Sequence, residues 1–335
     1  MRRRDFVTLL GGAAASWPLA AQAQQLSGKS VRIGFLGTPL TLPNGLTDPI
    51  TGVGFPALLD ELKKSGFSEG QNLAITVVRT DQDVQRLFTE TADLVRSNVE
   101  LLITEGTEIA LQAAIAASKT IPIVFWANNF DPIARGYVKS LARPGGNLTG
   151  VVSQQTELAA KQVELLTEAF PERTRLAVLY DGISADQSGA AQRQANLLHL
   201  NVRSVKLENP PYDFDAAFRS LAEGSPQMLL VLSSPFFTMQ RSHIAELAIQ
   251  QRLPTMFIFK TYVEAGGLIS YGTDPQSIFR QLGFYVAKIL SGSKPADLPV
   301  QQAVKFELVV NLKTAKVIGV DLSTAIQLRA DEVIE

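Results

Sequence analysis

The sequence predicts an α/β protein of two doubly wound parallel-sheet lobes that face each other across a cleft, and three observations lead there. Short apolar, β-branched runs closed by glycine or polar residues alternate with segments of helical period, the order required by a parallel sheet covered on both faces. The same order occurs twice along the chain. With 335 residues, 46% of them hydrophobic, the chain has the length for two modest cores.

The first lobe is expected over residues 30–148. VRIGFLG (31–37) opens it as a strand,. Phe55, Leu58, Leu59 and Leu62 then fall at helical spacing, with Gly66 placed to end the helix,. LAITVVR (73–79) is a second strand, a helix follows near residues 84–97, VELLITEG (99–106) is a third strand, TEIALQAAIAAS (107–118) a helix, and IPIVFW (121–126) a fourth strand. Residues 149–270 repeat the pattern: RLAVLYDG (175–182), NVRSVKLE (201–208), QMLLVLSS (227–234) and LPTMFIFK (253–260) match the four strands in order. The seam is placed in LARPGGNLTGV (141–151), where Pro144, Gly145, Gly146 and Gly150 cluster,. Residues 271–335 hold an amphipathic helix with Leu282, Tyr285, Val286 and Ile289 on one face,, then segments expected to cross between the lobes.

Residues 1–23 read as an address. Arg2, Arg3 and Arg4 precede an apolar run over residues 6–15, and Ala21-Gln22-Ala23 offers a small-x-small cleavage site, the pattern of a cleavable signal peptide,. Arg3-Arg4-Asp5-Phe6 also resembles the twin-arginine export pattern,. Removal of Arg2, Arg3, Arg4 and Asp5 moves the net charge from -1 to -3. With no cysteine in the chain, neither a lipid anchor, a disulfide framework nor a thiolate metal site is expected, so the mature protein is expected free in a periplasm. The balance of 31 basic and 32 acidic residues, without long like-charge runs, excludes a nucleic-acid surface.

Ligands of open parallel sheets bind beyond the carboxyl ends of the strands. In this chain those ends carry Thr38, Gly106, Thr107, Asn128, Asn129, Asp131, Asp181, Ser233, Ser234, Phe236, Tyr262 and Glu264. Thr107 opens a helix, so it is either a plain N-cap or part of a carboxylate site. Asp131, before Pro132, either counters a ligand ammonium or starts its own turn. Asp181 and Glu264 each touch a ligand or cap a neighbouring helix. Trp126, Phe130, Phe236, Phe237 and Tyr262 offer apolar pocket walls as a group, while singly each suits a lobe core. Asp213 and Asp215 read as helix-start residues, and His199 and His243 as structural or surface residues in helical segments. No nucleophile elbow, phosphate loop or H-E-x-x-H motif occurs, and Gly52-Val53-Gly54 stands too far from the first strand for a dinucleotide site,. No catalytic activity, cofactor or metal is expected.

The stretches IGFLGT, EGTEIALQAA, IPIVFWANNFDPI, SLARPGGNLTGV, ELAAKQVELL, SSPFFTMQR, YVEAGGLISYG, KPADLPVQQ, KFELVVNLKTAK and RADEVIE, in order along nearly the whole mature chain, resemble the solute-binding proteins of bacterial ABC transporters. The resemblance is to the group related to tryptophan- and tyrosine-binding lipoproteins, with the type I periplasmic-binding fold. It implies two lobes joined by about three crossings, a small organic solute held between them by hinge closure, and a membrane permease as partner of a monomer. Under it Thr38, Gly106, Thr107, Asn129 to Asp131, Asp181, Phe236 and Tyr262 to Glu264 line the cleft, with an amino acid's carboxylate at Thr107 and its ammonium near Asp131. The chain departs from the pattern at Trp126, Asn129 and Phe130, which make the loop before Asp131 bulkier and richer in amide, and in lacking the lipoprotein cysteine. A sensory protein that presents its liganded form to a receptor fits the same residues.

Overall fold

A computed structural model describes residues 30–37, 49–78 and 83–335; the expected signal peptide and Thr38 lie outside the described residues. The first sheet contains β1 (Val31–Leu36), β2 (Leu73–Val78), β3 (Leu101–Thr104), β4 (Ile123–Ala127), β5 (Leu148–Val152) and β11 (Gln301–Gln302). Its spatial order is 11-5-4-3-1-2, parallel throughout. The second contains β6 (Arg175–Asp181), β7 (Asn201–Leu207), β8 (Met228–Val231), β9 (Thr255–Phe257), β10 (Ile269–Thr273), β12 (Phe306–Asn311) and β13 (Glu332–Ile334). Its order is 13-12-10-9-8-6-7, and only the β10–β12 pair is antiparallel. In both sheets the second strand lies outside the first and the third, fourth and fifth follow on the other side, so the repeat seen in sequence is a repeat of topology.

Strand side chains alternate between the two faces, and here both faces are buried. On the first sheet Ile33, Phe35, Leu101, Ile103, Val124 and Trp126 pack toward one core, while Leu36, Leu102, Ile123, Phe125 and Ala127 pack toward another. Helices α1 (Pro49–Lys64) and α10 (Pro275–Leu290) cover the former, and α2 (Val84–Arg96) and α3 (Glu108–Ala117) lie over the latter. The second sheet is sandwiched in the same way. Helices α4 (Gln155–Ala169) and α5 (Ala185–Leu197) lie on one side, and α6 (Phe214–Glu223) and α8 (Arg241–Gln250) on the other. The short α7 (Pro235–Met239), α9 (Lys260–Glu264), α11 (Leu312–Ile318) and α12 (Thr324–Arg329) complete this lobe. Helix starts are fixed by side-chain caps: Asp83, Asp213, Asp274 and Asn311 each accept a backbone N–H of the helix they precede,.

The structure corrects two expectations, the end of the first lobe and the helical place of His199. Residues 148–152 form β5 of the first sheet, so the first lobe does not end at 148. The chain leaves it only after Val152, through Gln154, which has left-handed dihedrals (φ 51°, ψ 49°). The carboxyl-terminal segments are shared out: α10 and β11 return to the first lobe, and β12, α11, α12 and β13 belong to the second. His199 is not helical but sits in the turn after α5 with φ +56°. His243 lies on α8, 3.0 Å from Asp215, which gives Asp215 a partner beyond its place at a helix start. The later crossings run side by side, with Lys305 Nζ 2.8 Å from the Asp274 carboxylate and the Asp274 N–H donating to the Lys305 carbonyl.

Gly150 explains why β5 is hard to read as a strand. A β-carbon there would lie 1.9 Å from the Phe125 carbonyl oxygen, and one at Gly272 of β10 would lie 2.1 Å from that of Ile258. The fifth strand of each lobe thus approaches the backbone of the fourth at a glycine, within that strand at Phe125 and just past its end at Ile258. Gly150→Ala is expected to destabilise the fold by about 1–3 kcal/mol or more, since the neighbouring backbone must move. Chemical denaturation of the variant checks this, and unchanged stability would contradict it.

Candidate functional site

The carboxyl ends of the two sheets meet. From the first come the Glu105-Gly106-Thr107 turn after β3 and Asn128 and Asn129 after β4. From the second come Asp181 to Ala185 after β6 and Leu232 to Phe236 after β8. Gly106 makes the turn possible with φ +74°,. Its N–H donates to the Trp126 carbonyl at 3.0 Å and its carbonyl accepts from the Asn128 N–H at 3.1 Å, which pins the β3 and β4 tips together.

Two neighbouring spaces lie between the lobes. The inner one, about 30 Å³, is lined by Ile50, Glu105, Gly106, Thr107, Trp126, Asn128 and Asn129 from the first lobe and by Ser233, Ser234, Pro235, Thr238 and Phe259 from the second. That volume holds about one water-sized group. The outer one, about 820 Å³, is of ligand size. Its apolar walls are Val84 and Ile109 on one side and Ile183, Pro210, Tyr212 and Phe236 on the other. Thr107 and Asn129 line both spaces and mark the junction.

Thr107 stands out chemically. It precedes the ten-residue α3 in the extended dihedrals of an N-cap, yet its side chain makes no cap bond, and its buried Oγ1 has no hydrogen-bond partner. An unsatisfied buried hydroxyl costs about 1–3 kcal/mol, so its position is one a ligand would relieve. The helix start adds unpaired N–H groups and the positive end of the dipole, which favour an anion.

Amides tie the lobes together. Asn128 Nδ2 donates to Ser233 Oγ and Asn129 Nδ2 to the Ser233 carbonyl, each at 3.3 Å. Gln155 Nε2 donates to Asn128 Oδ1 at 2.5 Å, and Gln187 Nε2 to Asn129 Oδ1 at 3.4 Å. On the rim Arg135 reaches Asp186 at 3.5 Å. Asp181 organises the second lobe's side of the cleft. Its Oδ1 accepts from the Ile183 and Ser184 N–H groups and the Ser184 hydroxyl, and its Oδ2 from Tyr212 at 3.2 Å and Ser234 at 2.5 Å. Burial and the adjacent Asp181 carboxylate push the Tyr212 phenol well above its usual pKa, which keeps it a neutral donor.

The expected site residues separate accordingly. Gly106, Thr107, Asn128, Asn129 and Phe236 line the cleft, whereas Asp181 stands behind it and holds Tyr212 and Ser234 in place. Asp131 is exposed and accepts the N–H groups of Ile133 and Ala134 at 2.8 and 3.2 Å, so the structure gives it the turn-capping role and not a place on the cleft. Tyr262 is core, stacked on Phe257 at 4.6 Å, and Glu264 is exposed on α9 near Lys260. Of the aromatic group, Trp126 walls the inner space and donates to Ser153, while Phe130 and Phe237 are core. Glu105, Arg135, Gln155, Gln187 and Tyr212 escape a reading by sequence. Gln155 and Gln187 sit inside helical runs with nothing to mark them, and Glu105 falls inside the run VELLITEG that reads as a strand. Among the described residues no group of three or more metal-capable side chains gathers, and no helix is long and apolar enough to cross a membrane.

Comparison with known proteins fits this architecture. A tyrosine-binding protein of Clostridioides difficile (strain R20291) is 24% identical over 270 residues, 79% of this chain and 76% of that one. A conserved domain protein from Vibrio cholerae O1 biovar El Tor superposes with a TM-score of 0.81 at 27% identity, over 91% of this chain and 100% of the other. A Streptococcus pneumonia ABC domain in complex with L-Trp gives 0.79 at 24% identity, again over 91% and 100%. The model of the family described as ABC transporter substrate binding protein matches residues 54–334. The chain belongs to the ABC transporter substrate binding protein family.

Proposed function

We propose that this chain is the periplasmic solute-binding component of an ABC uptake transporter, and that it takes an amino-acid-like aromatic solute into the cleft between the lobes. The observation that carries the reading is the buried, unpartnered Thr107 hydroxyl at the start of α3, at the junction of a one-water space and a large groove walled by apolar and aromatic side chains. A carboxylate binds at Thr107 and the helix start, and an apolar body lies between Val84 and Ile109 on one lobe and Tyr212 and Phe236 on the other. Contact with both lobes gives the closed form the higher affinity, without which a solute shifts no equilibrium. The relatives agree in chemistry, one being named a tyrosine-binding protein and another having been solved with L-Trp. The closed form is what a membrane permease meets.

A thermal-shift panel of amino acids and arylpropionates on the mature chain, residues 24–335, tests this. An aromatic ligand at about 100 times its Kd is expected to add about 2.7 kcal/mol of stability. A panel in which only aliphatic solutes shift the melting temperature would contradict the aromatic assignment.

A further inference from the structure

We propose that the outer groove selects a ligand whose ring carries a hydrogen-bond donor, a phenol O–H or an indole N–H, and that Gln112 on α3 is the acceptor that reads it. The assignment rests on the reading of the cleft given above and adds what the far end of the ligand must be.

Three observations lead to it. The first is position. Glu108, Ile109 and Gln112 fall at i, i+1 and i+4 on α3 and line the outer space,. Gln112 lies five residues past Thr107, about 7.5 Å along the helix axis, and helical side chains lean back toward the amino end. A ligand held by its carboxylate at Thr107, with its ring laid against Ile109, brings the far edge of that ring to Gln112.

The second observation is which atom of Gln112 is on offer. Its Nε2 donates to the Tyr137 hydroxyl at 2.9 Å and lies 3.5 Å from Glu108 Oε1, while the Tyr137 hydroxyl donates to the same Oε1 at 2.7 Å. A carboxylate only accepts, so the Tyr137 proton points to Glu108 and the Tyr137 oxygen accepts from Gln112. Turned the other way, the amide would set its oxygen against two acceptors. Burial and the bond to Glu108 raise the Tyr137 phenol above its usual range, so this proton stays in place. The amide is thereby fixed, with Nε2 engaged and Oε1 left to accept.

The third observation is the rest of the lining. Asn129 gives its Nδ2 to the Ser233 carbonyl and takes Gln187 on its Oδ1. Tyr212 directs its proton to Asp181 and keeps an oxygen. Arg135 is engaged between Glu108 at 3.6 Å and Asp186 at 3.5 Å. Beyond Thr107 the side chains around the groove therefore offer oxygens, and such a lining favours a ligand that donates. A ring without a donor leaves the Gln112 oxygen facing carbon, which is how a site built for a hydrogen bond discriminates.

Calorimetric titration with three rings tests the assignment: L-phenylalanine, L-tyrosine and O-methyl-L-tyrosine, together with the arylpropionates that carry the same rings. For the wild-type chain the hydroxylated ring is expected to bind about 3–10-fold more tightly than the unsubstituted one, the range of one neutral hydrogen bond. The methoxylated ring, which keeps the oxygen and loses the donor, is expected to bind no more tightly than the unsubstituted one. In Gln112→Leu the ratio between hydroxylated and unsubstituted rings is expected to fall to about one, with a melting curve showing that the variant is folded. Should Gln112→Leu not fold, Gln112→Met, which keeps the length of the side chain, is expected to give the same loss. A glutamine held only to support Tyr137 would change stability when replaced and leave that ratio alone. A ratio retained in whichever variant folds therefore overturns the assignment. A wild-type chain that does not prefer the hydroxylated ring, or takes the methoxylated ring equally well, does so too, while leaving the aromatic-solute reading of the cleft in place. If none of the six compounds binds, that reading falls as well.

Discussion

Thr107→Val is expected to weaken binding of an aromatic carboxylate ligand about 10–100-fold, the effect of losing one hydrogen bond to a charged group. The unliganded variant should meanwhile be as stable as the wild type, or more so. The two expectations come from one fact. The Thr107 hydroxyl is buried and makes no bond within the protein, so a methyl of the same shape removes an unsatisfied polar atom from the free protein. Nor does the helix lose a cap, because the side chain does not act as one. A threonine held only for structure would behave in the opposite way, costing stability when replaced and leaving affinity alone. Calorimetric titration and a melting curve on the same preparation separate the two outcomes, and unaltered affinity would remove Thr107 from the site.

Asp181→Ala is expected to lower stability by about 3 kcal/mol or more, which for one substitution indicates a buried network broken at its centre. The five donors that converge on this carboxylate include two backbone N–H groups, which cannot turn away, and the hydroxyls of Tyr212 and Ser234, which line the two spaces of the cleft. Affinity should therefore fall together with stability. Asp181→Asn is expected to cost less. Its remaining oxygen can serve the N–H groups of Ile183 and Ser184, and the hydroxyls on the other side can reverse and accept from the amide. Urea denaturation of both variants checks the order, and an alanine variant within about 1 kcal/mol of wild type would contradict the assigned role.

These two residues also show the reach of sequence reading. Thr107 is visible as a helix start after a strand ending in glycine, but its being unpaired is a property of what surrounds it. Asp181 is visible as a strand-end carboxylate, yet the sequence leaves open whether it meets a ligand or a helix. The answer lies in Tyr212 and Ser234, 31 and 53 residues further along. Asp131 and Glu264 carry the same strand-end signal and prove to be surface residues, because a loop's position along the chain says nothing of the side on which it leaves the sheet.

The sequence by itself determined the α/β class, the doubling of the lobe and the helix and strand segments that build each half, because these depend on local periodicity and on residues that start or stop regular structure. It also placed the loops whose tips form the cleft. Tertiary structure decided which lobe β5, α10 and β12 join, that the fifth strands need glycine against a neighbouring carbonyl, and that Glu105, not Asp131, faces the inner space. Strand partners, close backbone approach and burial are relations between residues far apart in sequence, and they are fixed only when both sheets are packed and brought edge to edge.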